Sequence, residues 1–192
     1  MSPADLERIR TELDRLCELA NIGAGHAAGA LARMLGCTIR MDPPRVRVLT
    51  RGAAGEGPAL GLDTTGVFFE VQGGIGGTLG ILFPRRSRET LLAALLEDSD
   101  AQSEEAESAL REVGNVLASH ALSAVADLLG DRVLPSLPTL AEEAAGAVLA
   151  SLQARGEPVR IETRLVDGEG ALRSLLVWIP AGLAGRASVA RV

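Results

Sequence analysis

Apolar positions along the chain follow two different periods. From about residue 3 to 35, and again from about 103 to 129, they recur every three or four residues, which predicts two long amphipathic helices. Each opens on helix-start chemistry: Ser2 and Pro3 with Asp5 behind them, and Ser103 followed by Glu104, Glu105 and Glu107. A serine hydroxyl accepts from the first free amides, and the acids complement the positive end of the helix dipole. Elsewhere the period is two. The segments CTIRM (37–41), RVRVLT (45–50), GVFFEV (66–71) and GTLGILFP (77–84) alternate apolar and polar residues between glycine-rich turns, and so predict antiparallel strands. SRETLLAALLED (87–98) predicts a short helix and AEEAAGAVLASLQA (141–154) another, while PVRIETRLV (158–166) and ALRSLLVWIP (171–180) predict strands. Pro84 and Pro180 each close a hydrophobic strand. GGIGG at 73–77 could be taken for a phosphate loop, but no helix carrying Lys-Ser/Thr follows it, so it reads as a strand-to-strand turn.

The order of elements suggests a duplication. With the chain laid on itself at a shift of 94, residues 14–44 fall on 108–138 without a gap, and Leu16/Leu110, Glu18/Glu112, Asn21/Asn115, His26/His120, Gly36/Gly130 and Pro44/Pro138 coincide. The alanines that also coincide carry little information. The histidines carry more, because the protein has only two and they fall on each other. The expected architecture is α+β: a single domain over 1–192, with pseudo-repeat halves at about 1–98 and 99–192, two long pseudo-equivalent helices and one shared antiparallel sheet.

At about 100° per residue, Asp14, Glu18 and Asn21 lie within about 60° of one another, as do Ser108, Glu112 and Asn115. Leu16, Leu19, Gly23, Ala27, Ala30 and Met34 cluster on the opposite side of the first helix; Leu110, Val113, Leu117, Ala121, Ala124 and Leu128 do so on the second. These are the expected core faces, which turns both polar stripes outward. Gly25 and Ser119 continue the stripes one turn beyond the asparagines, where small side chains leave the carboxamides open to a partner. Gly23, Ala27 and Ala30 serve the other side, where small residues permit close backbone packing. His26 and His120 sit about 140° round from the asparagines and are expected at the core boundary.

Composition narrows the function. Apolar residues make up 47% of the 192 but aromatic ones only 2%, so the core must be Ala, Leu and Val, and a base-stacking platform is disfavoured. The net charge is −6 and the 19 basic residues look scattered, which argues against nucleic acid or an anionic membrane as partner. No apolar run approaches a membrane span, the start is charged rather than signal-like, and the expected location is cytoplasmic. Cys17 and Cys37 show no metal-ligand spacing, so no metal site is expected and a reducing compartment fits.

An isolated Glu-x2-Asn on a helix is usually a solvated surface. Here it occurs twice, each time with Asp or Ser four residues before the Glu and with proline after 22 intervening residues. The pattern Asp14, Glu18, Asn21, Pro44 and its repeat Ser108, Glu112, Asn115, Pro138 resembles the signature of the CheC, CheX and FliY phosphatases of chemotaxis, and NIGAGHAAGAL is similar to the most recognisable CheC segment. Two intact motifs resemble CheC more than CheX, and no room is left for the extra domain of FliY.

The resemblance implies a CheC-like fold and dephosphorylation of the aspartyl phosphate of a CheY-like response regulator. A Glu and an Asn without nucleophile or metal cluster cannot hydrolyse a phosphate unaided; they need an active site supplied by another protein. The regulator brings the phosphoaspartate, its Mg²⁺ and a lysine, and the chain needs no cofactor of its own. The missing part is a group that orients water in line with phosphorus. That role falls to Asn21 and Asn115, as a carboxamide both donates and accepts. Glu18 and Glu112 would take a charge-assisted hydrogen bond from the regulator's lysine. Asp14, Ser108, Gly25 and Ser119 would line the docking surface, and Pro44 and Pro138 would set the start of the strand after each helix. The alternative is a non-catalytic binding module that sequesters the regulator or acts as a partner of CheD. A weaker one is a structural protein of the flagellar switch.

Overall fold

The two long helices stand where the periodicity puts them. In the computed structural model, which describes residues 3–48, 63–96, 103–154 and 159–181, α1 runs Pro3–Leu35 and α3 runs Glu104–Leu129. The Ser103 hydroxyl accepts from the Ala106 amide at 3.1 Å, as its sequence context predicts. Ser2 lies outside the described residues, as do residues 49–50, 97–98 and 158 of the predicted segments and the boundary between the halves. Both helices stop on a left-handed glycine, Gly36 (φ 64°) and Gly130 (φ 63°). The closing bonds match as well: Cys37 N to Ala32 O, and Asp131 N to Ala126 O.

The remaining elements are β1 (Ile39–Met41), β2 (Arg45–Val48), β3 (Thr64–Gly73), β4 (Gly77–Pro84), α2 (Arg85–Leu95), β5 (Val133–Pro135), β6 (Thr139–Ala141), α4 (Ala145–Ala154), β7 (Val159–Asp167) and β8 (Arg173–Pro180). GGIGG is the turn between β3 and β4, with Gly73 at φ 108° and Gly77 at φ 127°. The fold class is α+β, as expected. Two strands were not foreseen: β5 and β6 have three residues each, and α4 begins four residues later than its pattern suggested because β6 takes Ala141. Pro44 and Pro138 immediately precede β2 and β6.

All eight strands form one antiparallel sheet in the order β1-β7-β8-β4-β3-β5, with β2 also on β7 and β6 also on β3. The halves therefore exchange strands. Ile39 pairs with Asp167 as Val133 pairs with Gly73, and Arg45 pairs with Glu162 as Thr139 pairs with Phe68. Each of these registers maps onto the other under the same shift of 94. The single shared sheet is as expected, and the sharing is by exchange, because each half's first two strands pair with the other half's long strands.

Helices α1 and α3 cover one face of the sheet, burying Leu16, Leu19, Ala27, Leu31, Leu110, Leu117 and Val125 against Val67, Phe69, Ile81, Ile161 and Leu165. Helix α4 covers part of the other face, where Ala145 and Leu149 meet Phe68, Leu82, Leu175, Val177 and Ile179. Glycines let the helices sit low. A Cβ on Gly114 would come within 2.7 Å of Val67 Cγ1, so only glycine lets α3 approach β3 this closely.

Candidate functional site

The helix faces divide largely as their spacing predicts. Leu16, Leu19, Gly23, Ala27, Ala30, Leu110, Val113, Leu117, Ala121 and Ala124 are buried. Asp14, Glu18, Asn21, Ser108, Glu112 and Asn115 are exposed, on the opposite side. The buried arc is wider than expected, since it also takes in Ala24, Ala28, Leu31, Ala118, Leu122 and Val125. Leu128 is a correction. It stands 53% exposed, because the last turn of α3 turns Val125 and Leu129 inward instead, about 60° and 100° further round.

The Glu and Asn side chains of the two stripes are unengaged among the described residues. Among the described residues, Glu18, Asn21, Glu112 and Asn115 make no side-chain hydrogen bond or ion pair. Their neighbours on the same helices do: Arg111 bridges to Glu107 at 2.9 Å, Arg15 to Glu12 at 3.8 Å, and the Thr11 hydroxyl donates to Glu7 O. Surface side chains with local partners surround four that have none. Asp14 acts on Cys17, whose thiol is pushed up from its ordinary value by partial burial and, second, by the Asp14 carboxylate.

Beyond the asparagines, Gly25 is exposed and Ser119 half-buried. A Cβ on Gly25 would meet only Met41 Sδ, at 3.9 Å, so the surface beside Asn21 is open. His26 and His120 were expected at the core boundary and are instead exposed. They lie just outside the buried arc, and His120 Nδ1 donates back to Val116 O at 2.9 Å. Among the described residues no group of three His, Cys, Asp or Glu side chains is placed to hold a metal ion, and no helix is long and apolar enough to cross a membrane.

The family model described as CheC-like matches this chain twice, over residues 12–48 and 105–141. Each match contains one complete stripe and the proline after it. CheY-P phosphatase CheC of Bacillus subtilis is 31% identical over 147 residues, spanning 72% of this chain and 70% of the relative. The fold is shared with solved structures, among them these two. A chain of the CheX-CheY-BeF3-Mg²⁺ complex from Borrelia burgdorferi superposes with a TM-score of 0.61 at 14% identity, covering 84% of this chain and 97% of that one. Thermotoga maritima FliY gives 0.60 at 17% identity, covering 98% and 96%. With both polar stripes inside the matched segments and a relative of that identity aligned over more than two thirds of each protein, the chain belongs to the CheC-like family.

Proposed function

We propose that this chain dephosphorylates the phospho-aspartate of a CheY-like response regulator in chemotaxis signalling, in the cytoplasm, from two sites carried by one duplicated domain over 1–192. One observation carries the reading. Two exposed Glu-x2-Asn pairs, with no partner among the described residues, lie 94 residues apart on helices whose opposite faces are buried. The names of the relatives agree with it, one being a CheY-P phosphatase and another a chain of a CheX-CheY complex.

Hydrolysis of an acyl phosphate needs water in line with the bond to the aspartate oxygen. The water oxygen bonds to phosphorus, the carboxylate leaves with the electron pair, and inorganic phosphate is released. The regulator supplies the phosphoryl group, its Mg²⁺ and a lysine. This chain supplies position: the carboxamide of Asn21 or Asn115 holds the water through its donor and its acceptor, and converting an encounter into a fixed geometry lowers the barrier. Glu18 and Glu112, one turn earlier, accept from the lysine and fix the docking register. Asp14, Gly25, Ser108 and Ser119 form the contact surface on either side.

Phosphate release from a phosphorylated CheY-like regulator of the same organism tests this. The double variant Asn21→Ala, Asn115→Ala should lose the acceleration, on the order of 10²-fold or more, while still binding the beryllofluoride-activated regulator. Undiminished acceleration in the double variant would remove the role assigned to the carboxamides. A wild-type chain that binds the regulator without speeding its turnover would make the protein a sequestering module.

A further inference from the structure

The basic residues look scattered in sequence, yet the fold gathers arginine onto one face. Antiparallel partners share a face of the sheet, so the pairs Arg45 with Glu162, Arg47 with Arg160, Glu162 with Val177, Arg164 with Leu175, and Arg40 and Arg173 each with Val166 place six arginines on the side of β1, β2, β7 and β8 away from α1 and α3. Asp42, one residue past β1 and bonded through its amide to Arg164 O at 3.0 Å, adds a carboxylate at the edge, and within the strands there the one carboxylate is Glu162. It lies between Arg160, at 2.7 Å, and Arg47, at 3.6 Å. Arg160 is 1% exposed and forms the floor. Arg40, Arg45 and Arg164 are exposed and make no side-chain hydrogen bond or ion pair among the described residues. Arg173 is exposed and donates to Gly170 O.

The duplication supplies a control. The positions equivalent to Arg40, Arg45, Arg47, Arg160 and Arg164 under the shift of 94 are Leu134, Thr139, Ala141, Gly66 and Glu70. None is basic, and Ala141 packs into the cluster that α4 covers. One half of the back face is thus roofed by a helix, and the other half carries guanidinium groups.

We propose that this arginine face is a docking surface for an acidic, extended segment of a second protein, separate from the helix stripes. Charge and size both favour that occupant. Six arginines against Glu162 and Asp42 give the patch +4 within a chain of net charge −6, so the rest of the molecule carries −10 and repels a long polyanion or a charged membrane. A short acidic segment meets only the patch. With β1 and β2 on the same edge of β7, the patch is three strands wide, roughly 10 Å, and Arg160 to Val166 spans about 20 Å along β7, which suits one extended stretch of chain and is small for a whole-domain interface. Every basic residue of the chain is arginine rather than lysine, and the planar fork of arginine pairs with carboxylates two bonds at a time.

Fluorescence anisotropy with a labelled ten-residue glutamate peptide tests the proposal, using the full chain at low and physiological salt. Saturable binding is expected, weakened at least tenfold in Arg45→Glu, Arg164→Glu and more mildly in Arg45→Gln, Arg164→Gln. Arg86→Glu, on the exposed side of α2, should bind as wild type does. Regulator turnover should be unchanged in all these variants, which keeps this result distinct from the test of the helix stripes. Absence of saturable binding, equal loss in Arg86→Glu, or tighter binding to a short DNA duplex or phosphatidylserine vesicles would each overturn it.

Discussion

Gly23 of α1 faces Ala121 of α3 so closely that a Cβ on the glycine would stand 3.3 Å from the Ala121 carbonyl oxygen and 3.3 Å from Val125 Cγ2. Two turns of different helices meet there with no side chain from α1 between them. Gly25, two residues on, faces open space on the stripe side. The two glycines therefore answer to different needs although the same segment carries both.

That difference is measurable by thermal unfolding. Gly23→Val should destabilise the protein by about 1–3 kcal/mol through overpacking, lowering Tm by roughly 2–4 °C per kcal/mol for a chain of this size. Gly25→Ala should raise Tm, since it gains about 0.8–1 kcal/mol of helix propensity with only Met41 Sδ nearby. A Gly23→Val protein as stable as wild type would contradict the close helix contact.

Charge at the stripes should govern docking more than chemistry. Glu18→Gln with Glu112→Gln removes two exposed carboxylates that have no partner among the described residues, so stability should change by less than about 0.5 kcal/mol. In steady-state dephosphorylation KM for the regulator should rise and become less sensitive to salt, with kcat altered less. A fall in kcat at unchanged KM would instead assign the glutamates to the transition state.

Beneath the arginine face, Glu162 is 7% exposed and lies 2.7 Å from the buried Arg160. Glu162→Ala removes the carboxylate beside a buried guanidinium, a loss of about 3–5 kcal/mol. Urea unfolding should show the midpoint moving down accordingly. The exposed pair Arg85 with Glu89 provides the contrast, because Glu89→Ala should shift it little.

The two thiols should react at different rates. Cys37 is exposed, whereas Cys17 is partly buried with its thiol pushed up by that burial and by Asp14. The thiolate is the reactive form, so near pH 8 Cys37 should be labelled first by a disulfide reagent. Asp14→Asn removes the smaller of the two causes and should quicken Cys17 modestly; an unchanged rate would leave burial as the whole reason.

The parts of the fold legible in sequence were those with a repeated local period. Thirty-three residues of α1 and twenty-six of α3 repeat their pattern often enough to fix both helices and the outward direction of Asn21 and Asn115. Strands β5 and β6, three residues each with Pro135 inside the first, are too short for a period of two to emerge. Leu128 was misplaced because a single-angle reading assumes the buried arc stays centred to the last turn. The arginine face was hidden for a different reason. Arg40, Arg45, Arg164 and Arg173 come from strands far apart in the chain, and only the long-range register of β1, β2 and β8 on β7 brings them together.

Exchange of strands between the halves also has a consequence for birth on the ribosome. Ile39 waits for Asp167, which is translated 128 residues later. At ordinary elongation speeds of about 5–20 residues per second that is a delay of roughly 6–26 s. Throughout it the nascent amino-terminal half must keep β1 and β2 unmatched, so a ribosome that stalls midway leaves behind a polypeptide with two strands and nowhere of its own to put them.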